Sequence, residues 1–104
     1  MKHELDVIEW ADKRGLLDPG NERNQLIKTY EELGEVSRAL LKNDRAAMID
    51  GLGDVMVTLI IFARIKGLTL EYCLEEAYNV IKNRTGKTVK GVFIKDEQDL
   101  ESRN

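Results

Sequence analysis

The chain has 104 residues, 42% hydrophobic and 34% charged, with a net charge of −3. That length holds one domain, and the balance excludes general disorder. The absence of a long basic block argues against a nucleic-acid duplex as partner.

The first helical segment is expected from about His3 to Lys13, with Leu5, Ile8 and either Trp10 or Ala11 facing inward. It is acidic and amphipathic, unlike a signal or transit peptide. Gly15 ends it, and Asp18-Pro19-Gly20-Asn21 is a turn signal. The second segment spans about Glu22 to Lys42. Leu26, Ile27, Tyr30, Leu33, Val36 and Leu40 recur there at intervals of three or four, which predicts an inward apolar stripe.

Asp44 is placed to cap a third helix, from about Arg45 to Lys66, that Gly67 stops. Between Val55 and Ile65 this segment is apolar on nearly every side, so it is the helix the others should pack around. Its longest apolar run, Val55 to Ala63, is shorter than a bilayer span, and no membrane partner is expected. Thr69 can cap a fourth helix whose stripe is Leu70, Cys73, Leu74, Ala77, Tyr78 and Ile81, ending at Gly86. Cys73, the single cysteine, reads as core packing; it excludes an internal disulfide and suits a reducing cytosol. The stretch Val89 to Ile94 alternates and turns like a short extended segment or hairpin. The expected architecture is an all-α antiparallel four-helix bundle over residues 1–94, with a short extended segment at its end and a polar tail over 95–104.

The acidic residues need explaining. Glu31, Glu32 and Glu35 crowd the second helix, and residues three or four apart share a face, so like charges there oppose the helix. Taken alone, they read as a solvated face, with Lys28 and Arg38 three residues from members of the group. Asp54 changes that reading, because it sits where the third helix becomes uniformly apolar, with Asp50 one turn before it. A buried carboxylate must be neutralised, paired or bound to a cation. If the two helices face each other, Glu32, Glu35, Asp50 and Asp54 converge, and hard oxygen ligands suit Mg²⁺, with Mn²⁺ as a substitute. Gly51 and Gly53 each cost a helix about 1 kcal/mol relative to alanine, which implies either close helix packing or close approach of a ligand. Asn79, Lys82, Arg84 and Lys87 gather at the end of the fourth helix. The helix dipole favours cations there, and a triphosphate requires them beside a metal.

Gln25-Leu26-Ile27-Lys28, Glu31-Glu32-Leu33-Gly34-Glu35, Gly53-Asp54-Val55 and Tyr78-Asn79 followed by Lys82 resemble, in order and spacing, the MazG-like nucleoside triphosphate pyrophosphohydrolases. The likeness covers about residues 5 to 94 and is closest to the short stand-alone, phage-associated members. It implies an all-α fold, Mg²⁺ dependence, and hydrolysis of a nucleoside triphosphate to monophosphate and pyrophosphate in clearing the nucleotide pool. The family's metal ligands are an ExxE pair, mapping onto Glu32 and Glu35, and an ExxD pair whose Asp maps onto Asp54. The Glu of the second pair would fall at residue 51, where this chain has Gly51; Asp50 is adjacent.

With that resemblance as guide, Glu31 is expected to accept a proton from the attacking water. Lys28, Asn79, Lys82 and Arg84 would hold phosphate, and Trp10 either stacks on the base or packs in the core. The resemblance, with the nearly all-round apolar surface between Val55 and Ile65, implies a homodimer or homotetramer. The alternative is a non-catalytic oligomerisation or nucleotide-binding module that has lost a complete metal site, and Gly51 is its best support. A di-iron carboxylate bundle is excluded, because no histidine follows a helical Glu at the required spacing.

Overall fold

A computed structural model describes residues 1–96. The elements in chain order are α1 (Glu4–Asp12), α2 (Glu22–Leu41), α3 (Arg45–Ile65), α4 (Leu70–Ile81), β1 (Gly86–Val89) and β2 (Val92–Lys95). They divide into two compact units, Met1–Tyr72 and Cys73–Asn104, each described by itself.

In the first unit α2 and α3 share the largest contact, and α1 packs on α3. The short link between α2 and α3 is closed by its own chemistry. Asp44 caps α3, accepting the Ala47 N–H at 3.1 Å, and the Asp44 N–H reaches back to the Ala39 carbonyl at 2.8 Å. Thr29 meets Thr58 and Val36 meets Gly51, so seven residues forward on α2 correspond to seven back on α3. The helices are therefore antiparallel. Gly51 sets their closest approach, since a Cβ there would lie 2.8 Å from Val36 Cγ2. Gly53 has nothing within 4 Å of the same position. Of the two expected roles for these glycines, packing belongs to Gly51 alone.

The core is small and built mainly from α1 and α3: Ile8 and Ala11, then Val55, Ile60, Ile61 and Ala63, with Ala39 from α2. Of the expected apolar stripe of α2, only Val36 faces α3. Gln25, Thr29 and Ala39 are its buried residues, with Glu32 and Val36 half-buried between them, whereas Leu26, Ile27, Leu33 and Leu40 are exposed and Tyr30 is 70% exposed. The helical period was right and the partner was wrong: the rest of the stripe lies beside the α2–α3 seam. Leu5, expected to face inward, is likewise exposed. On α3, the stretch from Val55 onward is largely covered, and the bare apolar residues are Ile49, Leu52 and Met56 nearer its start. Taken whole, α3 is long and apolar enough to cross a membrane by length and composition, as core helices often are, although its unbroken apolar run is short.

Two polar contacts brace this unit. The Thr29 hydroxyl donates to the Gln25 carbonyl at 2.9 Å and Thr58 to Val55 at 2.7 Å, while the two hydroxyl oxygens stand 2.7 Å apart. Two protons serve three possible bonds, so the pair holds more acceptors than donors. Glu4, 5% exposed, accepts the N–H groups of Leu70 at 2.6 Å and Glu71 at 3.2 Å. A carboxylate from the start of the chain thus caps the start of α4, where a negative charge meets the positive end of the helix dipole. The Met1 amino group pairs with Glu71. Thr69 caps the same turn as expected, accepting the Tyr72 N–H at 3.1 Å. At the start of α2, hydrogen bonds from its own N–H and from the Gly20 N–H hold the Glu22 carboxyl below the ordinary glutamate value.

In the second unit, α4 ends at Ile81 rather than at Gly86, which opens β1. No residue of α4 is buried, and Cys73, expected in the core, is half-buried. The Val89–Ile94 stretch is the heart of an antiparallel hairpin pairing Val89 with Val92 and Lys87 with Ile94. Positive φ at Lys90 (51°) and Gly91 (80°) makes the two-residue turn that suits strand twist. Lys95, placed in the expected tail, closes β2; the rest of that tail, beyond residue 96, lies outside the described residues.

Candidate metal centre

Glu32 and Glu35 on α2 share a face, as do Asp50 and Asp54 on α3. The antiparallel pairing turns these two acidic faces toward the same groove. With Ala47 and Gly51 as small residues between them, the four carboxylates line a hollow of about 310 Å³. Gly51 contributes backbone there, and Asp50 supplies the carboxylate that a residue-51 side chain, aimed at Val36, would not.

Charge compensation is uneven. Glu35 forms an ion pair with Arg38, three residues on, with both side chains largely exposed. Glu32, Asp50 and Asp54 have no ion-pair or hydrogen-bond partner among the described residues, and Glu32 and Asp54 are half-buried. Three unpaired carboxylates around one hollow repel one another, and a hard cation relieves that repulsion. Among the described residues, no three acidic, histidine or cysteine side chains stand close enough to share one ion directly.

The other expected site residues fall in three places. Glu31 is exposed on α2 and does not line the hollow. Lys28 and Trp10 line a second cavity of about 280 Å³, together with Gln25, Val57 and Ile61. Trp10 is 46% exposed, so it is not a core residue, and the Arg14 guanidinium lies 4.3 Å from its ring centre. Asn79, Lys82 and Arg84 belong to the second unit. Asn79 and Lys82 are exposed; Arg84 is half-buried and lines a cavity of about 350 Å³ with Ile81 and Phe93. One Arg84 nitrogen, Nη2, is buried without a hydrogen-bond partner among the described residues.

Residues 21–89, more than half the chain, match the family model of the MazG nucleotide pyrophosphohydrolase domain. The chain belongs to that family. The matched stretch contains α2, α3 and every carboxylate of the hollow. A relative described as an uncharacterized 18.2 kDa protein in the rep-hol intergenic region of Haemophilus phage HP1 (strain HP1c1) is 32% identical over 59 residues. That alignment covers 57% of this chain and 36% of the relative, so the chain spans little more than a third of that protein's length. No solved structure matches.

The sequence shows Gln25 only as a member of the family motif and gives no sign of Glu4 as a cap. In the structure Gln25 opens the register Gln25, Thr29, Glu32, Val36, Ala39. That register is polar for most of its length and so carries no hydrophobic signal. Glu4 had no local signal, because its partners are 66 and 67 residues away.

Proposed function

We propose that this chain hydrolyses nucleoside triphosphates, ribo or deoxy, to monophosphate and pyrophosphate, clearing unwanted nucleotides from the pool. The observation that carries this reading is the hollow itself: four carboxylates from two antiparallel helices, three of them without partners, inside the stretch that defines the family. Glu32, Glu35 and Asp54 would hold Mg²⁺ or Mn²⁺, with Asp50 in place of the missing residue-51 carboxylate. When bound, such an ion neutralises phosphate charge and lowers the pKa of its water.

The protein's own groups divide the remaining work. Lys28, one turn from Glu32 and lining the neighbouring cavity, is placed to take a phosphate oxygen beside the acidic hollow. Glu31 shares a face with Glu35 but does not line the hollow, so as proton acceptor it would act from the rim of the helix. Asn79, Lys82 and Arg84, in the second unit, are the cationic and amide groups that the family resemblance assigns to substrate. Trp10 offers a half-exposed ring to the base. Gly51, the feature that favoured a non-catalytic module, is accounted for by its contact with Val36.

The same reading places the working form as a homodimer or homotetramer, built on four helices per chain and engaging neither duplex nucleic acid nor membrane. Leu26, Tyr30 and Leu33 on α2, and Leu52 and Met56 on α3, lie bare beside the seam and supply the apolar surface that a second copy would cover. The deciding experiment follows pyrophosphate release from a panel of nucleotides with Mg²⁺ and with chelator. Pyrophosphate should appear only with metal. Orthophosphate and a diphosphate as the first products, or no release from any nucleotide, would overturn the assignment.

A further inference from the structure

Gln25 is 6% exposed, yet its side-chain amide has no hydrogen-bond partner among the described residues; only its backbone groups are bonded, to Asn21 and Thr29. The rest of the residue is covered, so the amide is held in place while its hydrogen-bonding groups stay accessible. Gln25 lines the cavity of about 280 Å³ beside the half-exposed Trp10 ring, with Val57 and Ile61 as apolar walls. An aromatic plane, apolar sides and one amide that both donates and accepts suit a nucleobase, since the Watson–Crick edge of each base sets a donor beside an acceptor.

Position supports the same assignment. Gln25 and Glu32 lie seven residues apart on one helix, a separation of about 10 Å along its axis. Lys28 stands between them, lining the cavity, while Glu32 lines the acidic hollow. On α3, Val57 follows Asp54 by one turn in the same direction. The cavity and the hollow therefore continue along one groove, at a separation comparable with the span of a sugar and its 5′-phosphate. A cavity of about 280 Å³ holds a base and leaves the phosphates outside it, next to the carboxylates.

We propose that Gln25 is a base-reading residue: its amide, without a protein partner in the free protein, forms paired hydrogen bonds with the edge of the substrate's nucleobase in the Trp10 cavity. This rests on the nucleotide assignment above and extends it from the phosphates to the base.

The test replaces Gln25 by methionine, nearly its equal in volume and without strong hydrogen-bonding groups. Binding is measured by calorimetry with Mg²⁺, using α,β-methylene nucleoside triphosphates, which resist cleavage at that bond, and inorganic triphosphate, which has no base. Gln25→Met should weaken binding of the best methylene nucleotide roughly tenfold, the loss of one to two hydrogen bonds. It should leave inorganic triphosphate affinity unchanged and keep or raise the Tm of the ligand-free protein. Undiminished nucleotide affinity would overturn the proposal. So would equal weakening of both ligands with a lowered Tm, which is the signature of a structural residue. Failure of the parent reading is separable: the wild-type protein would then release no pyrophosphate from any nucleotide.

Discussion

Two glycines, two residues apart on one helix, should respond oppositely to the same substitution. At Gly53 a new Cβ meets nothing within 4 Å, so Gly53→Ala gains only the helix propensity of alanine, about 1 kcal/mol. At Gly51 the same gain is opposed by a contact of 2.8 Å with Val36 Cγ2, with the Val36 backbone nitrogen and Cα close behind at 3.6 and 3.7 Å. Valine has one stiff torsion and its backbone belongs to α2, so relief requires the helices to separate. Overpacking of this kind costs about 1–3 kcal/mol. Gly51→Ala should therefore range from neutral to about 2 kcal/mol destabilised, leaving a gap of about 1–3 kcal/mol between the two variants. For a domain near 100 residues each kcal/mol moves Tm by about 4–8 °C, well within reach of thermal denaturation followed by circular dichroism. Val36→Ala should cost less in the Gly51→Ala background than alone, with a coupling on the order of 1 kcal/mol. If Gly51→Ala stabilises as much as Gly53→Ala, the close approach of α2 and α3 at this point is wrong. The Asp50 assignment would weaken with it, because room for a residue-51 carboxylate would then exist.

Asp54→Asn should abolish metal-dependent pyrophosphate release while leaving Tm unchanged or higher, since it removes one of three mutually repelling carboxylates; retained turnover would remove Asp54 from the metal centre. Glu4→Gln halves the acceptors at the start of α4 and should cost about 1–2 kcal/mol, with faster hydrogen exchange at the Leu70 and Glu71 amides; unchanged exchange would count against the cap. Thr29→Val should cost less than about 1 kcal/mol, because Thr58 still donates to Val55, and a loss above about 3 kcal/mol would mean the hydroxyl pair matters more than its shared protons allow. The Glu22 carboxyl titrates below its ordinary value, so its contribution is present above the usual glutamate range and fades as pH falls through the lowered value. Glu22→Gln should flatten that part of the acid limb of stability, and an unchanged limb would show the turn makes no such contribution. Replacing Tyr30 and Leu33 by glutamate should give a monomer in sedimentation if the bare stripe of α2 joins two copies; an unchanged assembly would place the interface elsewhere.

The elements themselves were legible along the chain because their signals are local. Asp44 and Thr69 both form the caps their positions imply, and the turn at Lys90 and Gly91 makes the expected hairpin. The acidic hollow was legible as well, because i, i+3 and i, i+4 spacing puts each carboxylate pair on one helix face before any tertiary contact forms. What periodicity does not encode is which face meets which neighbour. The apolar stripe of α2 has the period of a core stripe, yet only its Val36 faces α3, alongside Gln25, Thr29 and Glu32, since the small surface of Gly51 and the paired threonine hydroxyls fit there. Only the pairing of α2 with α3 could decide that residue 51 points at Val36 and that Asp50 lines the hollow. Only the packed unit could bring Glu4 to Leu70 and set Gln25 in the wall of the Trp10 cavity, because both facts depend on residues far apart in sequence meeting in space.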